Sequence, residues 1–288
     1  MTRAGIVTLA GKPNVGKSTL LNRIVGQKLS ITSEKPQSTR DRVVGIHTVG
    51  DTQMVVLDTP GLLEPRYRLQ EAMRASSGRA LEDADVIVYI ADAREGVPVP
   101  LSEAADLTTA PNAPVLTVVN KVDAVPAHRR QELRLAMPEA HFISALNGEG
   151  VVELQQAIIE RLPESPFLYP DDEVSTQSLR FFASELIRET ALEQLGEEVP
   201  YSVACVIEEF REDRSPVYVR ALVYVERESQ KRIIIGAKGA RIRAIGESAR
   251  GKIESLVGEQ VYLDLWVKVS ANWRRDAGAL ERFGYRVG

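Results

Sequence analysis

The stretch Gly11-Lys12-Pro13-Asn14-Val15-Gly16-Lys17-Ser18 decides the fold of the first half of the chain. It matches G-x-x-x-x-G-K-[S/T] at every fixed position, follows an apolar run and precedes the helix-like run STLLNRIVG. A glycine loop between a strand and a helix lets backbone N–H groups surround phosphates, and the helix dipole adds to the attraction. The sequence therefore predicts a P-loop in which Lys17 bridges the β- and γ-phosphates and Ser18 ligates Mg²⁺.

Short apolar runs alternate with polar, helix-like stretches over the first 160 residues. The candidate strands are Ile6–Ala10, Met54–Leu57, Val86–Ala91, Val115–Val119 and Phe142–Ile143. Runs that are apolar on both faces and rich in Val and Ile are typical of buried parallel strands. Such strands alternating with helices predict an α/β fold with a doubly wound sheet, a G domain that we place at residues 1–165.

A change of composition marks the end of this domain. Residues 163–178 contain three prolines and an acidic cluster, and we place a linker there. Apolar residues then recur at helical spacing from Leu179 to Ala191, and the remaining pattern predicts the order α-β-β-α-α-β. We therefore expect a linker and leading helix at 166–199 and a smaller α+β domain at 200–280.

Length and charge agree with two domains. The chain has 288 residues and a net charge of −4, yet residues 200–288 carry 16 Lys and Arg against 12 Asp and Glu, a net +4 that leaves −8 for the rest. A basic last part suggests a polyanionic partner for that part. The single cysteine excludes an intrachain disulfide, and apolar runs of about six residues are too short to span a membrane. We expect a cytoplasmic protein.

Two further motifs follow predicted strands and bear on the choice of base. In Asn120-Lys121-Val122-Asp123, the Asp123 carboxylate can accept two hydrogen bonds from guanine N1 and N2, whereas adenine offers no matching donor pair. The asparagine can hold nearby loops, and the lysine stem can cover the base face. In Ser144-Ala145-Leu146, the backbone N–H of Ala145 is placed to donate to guanine O6. These residues favour GTP over ATP as the ligand.

The stretch Asp58-Thr59-Pro60-Gly61-Leu62, again at a strand end, is expected to face the phosphates. We predict that Asp58 holds Mg²⁺ through water, that the Gly61 N–H senses the γ-phosphate, and that Thr39 is the second hydroxyl ligand of Mg²⁺. Leu62 stands where signalling GTPases carry a water-orienting glutamine. Either intrinsic hydrolysis is slow or another element supplies catalysis.

Asn14, inside the first loop, is our candidate for that element. In one large GTPase class an asparagine at this position helps to bind a potassium ion that replaces an arginine finger, and we hypothesise the same role here. A simple turn-forming asparagine is the alternative. The candidate catalytic residues are therefore Asn14, Lys17, Thr39 and Gly61. The candidate magnesium ligands are Ser18, Thr39 and Asp58. The expected cofactors are GTP or GDP, Mg²⁺ and K⁺.

A second glycine loop, Gly236-Ala237-Lys238-Gly239, lacks the G-K-[S/T] that a P-loop requires. Between Lys231 and Arg250 there are six basic residues and one acidic residue, and isoleucines stand before and after the loop. Within the predicted α-β-β-α-α-β order, this combination favours a KH module, in which a polynucleotide backbone lies against the turn. A solvated basic helix is the alternative. The candidate RNA-binding residues are the four loop residues with Lys231, Arg232, Arg241 and Arg243.

Together these stretches resemble those of the Era family of bacterial GTPases. The resemblance covers essentially the whole chain and rests on GKPNVGKSTLLN, PQSTRDRVVGI, DTPGL, NKVD, SAL and IIIGAKGARIRAIGESAR. It implies a G domain followed by a type II KH domain that holds the 3′ end of 16S rRNA, GTP-controlled maturation of the small ribosomal subunit, and contact with the inner membrane surface. The chain departs from the family pattern at Ser38, where Thr is common, and at Leu63, where His is common.

Two functions remain open at this point. The first is a GTP-hydrolysing switch whose nucleotide state tunes RNA binding by the second domain. The alternative is a membrane-recruited signalling GTPase whose C-terminal domain binds protein. We expect a monomer, and the basic segment 272–282, with the pattern of a partly amphipathic helix, could touch RNA or an anionic membrane surface.

Overall fold

The structure, a computed structural model, describes residues 1–33, 35–196 and 198–285. Within these residues the strands are β1 (Arg3–Ala10), β2 (Val43–Val49), β3 (Thr52–Asp58), β4 (Val86–Asp92), β5 (Val115–Asn120), β6 (His141–Phe142), β7 (Ala204–Arg211), β8 (Val217–Val225) and β9 (Val261–Val269). The helices are α1 (Lys17–Val25), α2 (Arg68–Glu82), α3 (Leu101–Ala104), α4 (Ala127–Ala136), α5 (Val151–Ile159), α6 (Leu179–Gln194), α7 (Glu228–Ile235), α8 (Ala240–Val257) and α9 (Ala277–Arg282). Two compact units result: Met1–Pro65 with Met73–Thr176, and Arg66–Ala72 with the described residues from Gln177 onward.

The first unit is built on one mixed sheet. Its strand order is β2-β3-β1-β4-β5-β6, with β2 antiparallel to β3 and the other neighbours parallel. Strand β4 is buried at every position and β3 at all but one, as expected for Val- and Ile-rich strands covered on both faces. The predicted α/β architecture is confirmed, and β6 begins one residue before the predicted Phe142.

The sequence prediction lacks strand β2. This strand forms a hairpin with β3 through a two-residue turn at Gly50 and Asp51, where Gly50 has a φ of 56°. Two-residue hairpin turns favour residues that accept positive φ, because their twist then matches that of the strands. The signal is present in the sequence, since a glycine–aspartate pair separates two runs rich in β-branched residues.

The carboxyl ends of the parallel strands meet along one edge of the sheet. β1 ends at Ala10, just before the first glycine loop, and β3 ends at Asp58. β4 ends at Asp92 and β5 at Asn120, and these two residues are paired directly in register. Ligands of open α/β sheets bind at this edge, so the topology alone brings the predicted motifs together.

The stretch predicted as a linker is partly held against this sheet. The buried Gln53 side chain on β3 accepts hydrogen bonds from the N–H groups of Leu168 and Tyr169 at 2.8 and 3.0 Å. Further along, the Val174 carbonyl oxygen accepts from the Ile46 N–H on β2 at 2.9 Å. Residues 168–174 therefore lie along the first unit before α6 begins.

The second unit has a three-stranded sheet in the order β7-β8-β9, in which β8 is antiparallel to β7 and parallel to β9. Alternate residues of β8 enter a core shared with α6 and α8, as the pleat requires. This core includes Ala183, Ile187, Val217, Val219, Ala221, Val223, Val225, Ile245 and Ile253. The element order confirms the predicted α-β-β-α-α-β pattern.

The basic segment 272–282 forms a 3₁₀ turn followed by α9. Trp273 and Leu280 are fully buried, and Trp273 Nε1 donates to the Ser202 carbonyl oxygen at 2.8 Å. A membrane-binding amphipathic helix keeps its apolar face free, whereas this segment packs its large apolar side chains into the fold. In the part of the chain that the structure describes, no helix combines the length and hydropathy needed to cross a bilayer.

Candidate functional site

The glycine loop between β1 and α1 packs directly against its neighbours. Asn14 and Gly16 have positive φ values of 64° and 102°. A Cβ on Gly16 would lie 2.2 Å from Asn120 Nδ2, and a Cβ on Gly11 would lie 2.3 Å from the Ile90 carbonyl oxygen. Glycine is required at both positions because any side chain would collide with these atoms.

Lys17 opens helix α1, and its ammonium group lies inside this loop. Nζ donates to the carbonyl oxygens of Gly11 and Lys12 at 2.9 and 2.8 Å. Burial lowers the pKa of Lys17 to about 8, although the charge of Asp58 opposes the shift. A buried cation at a helix N-terminus attracts an anion, because both the charge and the helix dipole favour it. The arrangement suits a phosphate group.

The Asp58 carboxylate accepts hydrogen bonds from the hydroxyl groups of the site. Ser18 and Ser30 each donate to Oδ2 at 2.7 Å, and Thr39 donates at 3.2 Å. The Ser18 and Thr39 hydroxyl oxygens are 3.0 Å apart. Burial raises the pKa of Asp58, while Lys17 and the three hydroxyls oppose this shift. The three predicted magnesium ligands therefore meet at one point.

The other oxygen of Asp58, Oδ1, is buried and has no hydrogen-bond partner among the described residues. Such an oxygen is costly unless a donor or a cation satisfies it. Mg²⁺ prefers hard oxygen ligands and usually keeps several waters, which donate to nearby carboxylates. Two hydroxyls beside a carboxylate with an unsatisfied oxygen therefore fit this ion.

Ser30 belongs to this cluster but is missing from the sequence prediction. Asn22 on α1 holds its backbone, since Asn22 Oδ1 accepts from the N–H groups of Leu29 and Ser30 at 2.9 and 2.8 Å. Asn22 Nδ2 also donates to the Ser30 carbonyl oxygen at 2.9 Å. No local motif marks this serine, because its contact with Asp58 joins residues 28 positions apart.

The stretch after β3 packs against the first glycine loop. Thr59 Oγ1 donates to a carbonyl oxygen of β1 at 2.8 Å, and the Leu62 N–H donates to the Gly11 carbonyl oxygen at 2.9 Å. A Cβ on Gly61 would lie 2.5 Å from the Pro13 nitrogen. The Leu62 side chain packs against an apolar cluster, so it cannot orient a water molecule.

The base-selecting motif at the end of β5 is tied to the glycine loop. Asn120 Nδ2 donates to the Val15 carbonyl oxygen at 2.7 Å, which confirms the predicted loop-holding contact. Asn120 Oδ1 accepts from the Ala145 N–H at 2.9 Å. The sequence prediction gave this N–H to guanine O6, whereas in the structure it serves Asn120, because Asn120 bridges both loops. Lys121 has a φ of 64°, and its Nζ donates to the Asn14 carbonyl oxygen.

A cleft of about 630 Å³ joins the phosphate end to the base end, a volume typical of nucleotide-sized ligands. The predicted residues that line it include Asn14, Lys17, Ser18, Thr39, Gly61, Asn120, Lys121, Asp123, Ala145 and Leu146. Asp123 is exposed, whereas Val122 and Ser144 are buried and support the two motifs from below the surface. The structure thus brings the sequence-predicted nucleotide residues into one site.

Arg23 on α1 is a second residue that the sequence prediction misses. Its Nε donates to the Ala145 carbonyl oxygen at 2.6 Å, and a terminal nitrogen donates to the Leu146 carbonyl oxygen. A planar guanidinium that holds two successive carbonyls fixes the loop strongly. The contact spans 122 positions along the chain and leaves no local sequence signal.

The second glycine loop joins α7 to α8 through a tight 3₁₀ turn. Gly236, Lys238 and Gly239 all have positive φ values, of 70°, 51° and 78°. A Cβ on Gly236 would lie 2.8 Å from the Arg241 Cβ, so glycine allows the two helices to approach. Lys238 and its neighbour Ala237 are exposed. The turn therefore presents backbone and one lysine to solvent, which suits the backbone of a polynucleotide.

The predicted basic residues flank this turn. Arg232, Arg241 and Arg243 are exposed, and an Arg241 guanidinium nitrogen donates to the Ile233 carbonyl oxygen at 3.2 Å. Lys231 is half-buried, with its Nζ 3.9 Å from a Glu228 carboxylate oxygen. The exposed arginines and Lys238 together form a basic surface at one end of the second unit.

The apolar surface beside this loop is smaller than the isoleucines before and after it suggest. Ile234 and Ile245 are each 1% exposed and belong to the core. Ile233 is 41% exposed, and Ile235 and Ile242 are half-buried, so these three carry the apolar surface near the turn. Helical spacing alone does not separate core-facing from ligand-facing isoleucines.

The two units define the class of the protein, a P-loop GTPase domain followed by a KH domain. A family model described as a 50S ribosome-binding GTPase matches residues 6–121, and one described as a KH domain matches residues 198–274. The chain belongs to the GTPase Era family. It is 43% identical to GTPase Era of Carboxydothermus hydrogenoformans over 98% of each chain, and 46% identical to that of Thermosipho melanesiensis over 94% of each.

Two solved structures are similar over 99% of both chains at 40% identity. One is an Era variant from Aquifex aeolicus bound to GDP·AlF4⁻, with a TM-score of 0.91. The other is Era in complex with MgGDPNP and nucleotides 1506–1542 of 16S ribosomal RNA, with a TM-score of 0.92. These similarities confirm the predicted fold class, an α/β G domain followed by a type II KH domain.

Proposed function

We propose that this chain binds GTP and hydrolyses it to GDP and phosphate in the cleft of the first unit. The observation that carries the proposal is the convergence of the phosphate loop, the hydroxyl cluster on Asp58 and the base-selecting motif on one cleft of about 630 Å³. The two solved relatives, which hold GDP·AlF4⁻ and MgGDPNP, support this choice of ligand.

At the phosphate end, Lys17 exchanges its two carbonyl acceptors for oxygens of the β- and γ-phosphates. The exchange is favourable because a charged acceptor binds a buried ammonium more strongly than a neutral carbonyl does. Lys17 then stabilises the charge that develops on the transferred phosphoryl group. The Gly61 N–H donates to the γ-phosphate, so this hydrogen bond forms only when the γ-phosphate is present.

When bound, Mg²⁺ bridges the β- and γ-phosphates and neutralises part of their charge. Ser18 and Thr39 turn their hydroxyl oxygens towards the ion, and Asp58 holds it through water. Ser30 then remains to fix Oδ2 of Asp58, since its hydroxyl is already 2.7 Å away. Because Thr39 lies in a separate loop, its ligation couples that loop to the presence of the γ-phosphate, which is the basis of a switch.

GTP hydrolysis is expected to be about tenfold faster in potassium chloride than in sodium chloride of equal concentration. The Leu62 side chain cannot orient water, and Asn14 would help to hold a monovalent cation whose charge would replace that of the arginine finger in other GTPases. The measurement is phosphate release at saturating GTP, with GTP affinity determined in both salts as the control. Asn14→Ala is expected to abolish the difference, and equal wild-type rates in the two salts would refute the potassium hypothesis.

We further propose that the second unit binds the 3′ region of 16S rRNA and that the protein acts in small-subunit assembly in the cytoplasm. The exposed basic surface around Lys238 and the solved relative with nucleotides 1506–1542 of 16S rRNA support this. We prefer 16S rRNA to the 50S subunit of the family-model description, because that model matches only residues 6–121 whereas the RNA complex resembles 99% of the chain.

Lys238→Glu is expected to weaken binding of an oligonucleotide from the 16S 3′ end by about tenfold and to reduce the salt dependence of binding. The change reverses the charge at the exposed centre of the turn. Gly236→Asp is expected to weaken binding at least as much, because its φ of 70° and the 2.8 Å approach to Arg241 add strain. Fluorescence anisotropy over about 50 to 200 mM KCl measures both effects.

Lys268→Glu is the matched control, since Lys268 is exposed on β9 outside the turn. Its RNA affinity is expected to stay within about twofold of wild type. The assay is run with GDP and with a GTP analogue to test whether nucleotide state tunes RNA binding. If Lys238→Glu binds RNA as wild type does while the second unit captures a protein, the alternative of a membrane-recruited signalling GTPase gains support.

A further inference from the structure

A buried carboxylate at the end of β4, Asp92, stands outside every motif described above. It is 4% exposed and pairs in register with Asn120 on β5. The adjacent Ala93 N–H donates to the Asn120 carbonyl oxygen at 2.8 Å. Asp92 is therefore fixed by the sheet directly beside the start of the base-selecting motif.

Asp92 holds the ammonium group of Lys121. Its Oδ2 lies 2.9 Å from Lys121 Nζ, and the same Nζ donates to the Asn14 carbonyl oxygen of the glycine loop. Lysine has a flexible stem and three donors, so two fixed acceptors determine where the stem runs. The Lys121 stem therefore spans from the sheet edge to the glycine loop along one wall of the cleft.

Arg94 completes the cluster from the solvent side. Its Nε and one terminal nitrogen donate to the Asp92 carboxylate at 2.9 and 2.6 Å, and its side chain is 57% exposed. Burial by itself would raise the pKa of Asp92, but hydrogen bonds from Arg94 and Lys121 outweigh it and lower the pKa to about 2. The carboxylate is therefore ionised throughout the neutral range, and its attraction for Lys121 is permanent.

The ion pair with Lys121 differs from the exposed pairs on the surface of this unit. Lys121 is 26% exposed and Asp92 4% exposed, whereas Arg129 and Glu132 on α4 are 43% and 59% exposed. Exposed pairs contribute little because water screens them, while removing one member of a largely buried pair leaves the other without its counter-charge. Loss of the Asp92 charge would thus free Lys121 Nζ from one of its two acceptors.

We propose that Asp92 is a positioning residue for guanine nucleotide binding, because it fixes Lys121 so that the lysine stem covers the base and the Asn14 backbone is held in place. The inference rests on the proposed binding of GTP and GDP by the cleft. It adds a residue from the end of β4 to those that the motifs supply at the ends of β1, β3, β5 and β6. A contact that covers a bound ligand slows its escape more than its arrival, so the effect belongs mainly to the dissociation rate.

The test measures release of a fluorescent GDP analogue from the full chain by stopped flow. Asp92→Asn is expected to speed release about 10- to 30-fold, the size of a lost charge-assisted hydrogen bond, with an association rate within about threefold of wild type. Asp92→Glu keeps the charge and is expected to restore most of the slow release. Glu132→Gln, which neutralises an exposed carboxylate on α4, is the matched control and is expected to behave as wild type.

A double-mutant cycle with Lys121→Met separates positioning from general loss of structure. If Asp92 acts through Lys121, adding Asp92→Asn to Lys121→Met is expected to change release by less than about twofold. Unchanged release in Asp92→Asn, or full effects of both substitutions in the double variant, would overturn the proposal. If the wild-type chain itself does not bind the GDP analogue, the proposed GTP binding fails, and this outcome is distinct from the other two.

Discussion

Asp123→Asn is expected to lower GTP affinity about a thousandfold and to raise affinity for xanthosine triphosphate. In the proposed base site the Asp123 carboxylate accepts from guanine N1 and N2, and an amide in its place would set an N–H donor against one of these donors. Two donors that face each other form no hydrogen bond although each has given up its water, while the amide oxygen can keep the other hydrogen bond. Xanthine carries an oxygen where guanine carries its N2 amino group, so this oxygen can accept a hydrogen bond from the amide N–H that Asp123→Asn introduces.

Competition against a fluorescent GDP analogue measures both affinities in one assay. Asp172→Asn, at an exposed aspartate in the stretch that lies along the first unit before α6, is the matched control and is expected to leave both affinities unchanged. An Asp123→Asn variant that still binds GTP as wild type does would remove Asp123 from the base site. The cleft would then be a phosphate site with another means of selecting its base.

The fold was predictable wherever local pattern and topology coincide. Runs such as Val86–Ala91 predict buried parallel strands because both of their faces are apolar, and the structure confirms a buried strand there. Strand β2 was missing from the prediction because it is an edge strand whose last residues are half-buried or exposed. The period of the pattern identifies central strands more easily than edge strands, whose environment differs on the two faces.

Within the site, residues in contiguous motifs were predictable and their supports were not. Asp58 and Asn120 lie at strand ends, and Lys17 lies at the start of the helix that follows β1. Each belongs to a recognisable motif, so the sheet topology brings the three together. Ser30 and Arg23 act through contacts with residues far along the chain. A single sequence carries no signal for such a pair, because either residue type is common on polar surfaces.

The two glycine loops use the same residue types for opposite purposes. In the first, Gly16 clears space for Asn120, and the loop closes around a buried lysine. In the second, Gly236 lets two helices approach while Lys238 stays exposed. Burial of the lysine separates the two, since a buried ammonium suits a compact phosphate within a cleft and an exposed one suits a long polyanion that crosses the surface.

Lys17→Met is expected to reduce GTP hydrolysis by about a thousandfold or more, because the buried lysine is the one suited to a compact phosphate. In the proposed reaction Lys17 supplies the fixed positive charge that meets the developing charge on the γ-phosphoryl oxygens, and removing one such preorganised group costs orders of magnitude in rate. Methionine keeps the length of the stem and the packing at the start of α1 but donates no hydrogen bond. The nucleotide-free protein is expected to melt within a few degrees of wild type, because relief from burying an ammonium group offsets the loss of its two hydrogen bonds and of its attraction to Asp58.

Single-turnover phosphate release and nucleotide-free melting curves test this prediction together. RNA binding without nucleotide is the internal control, and it is expected to stay within about twofold of wild type because the basic surface around Lys238 belongs to the other unit. Lys12→Met is the matched variant, since Lys12 is exposed and its ammonium lies 3.0 Å from Glu95 on the surface. Hydrolysis by Lys17→Met within tenfold of wild type would show that the first loop is not the catalytic phosphate site. Loss limited to Lys17→Met, with Lys12→Met near wild type, would show that the buried position of the charge, rather than the number of lysines in the loop, governs the chemistry.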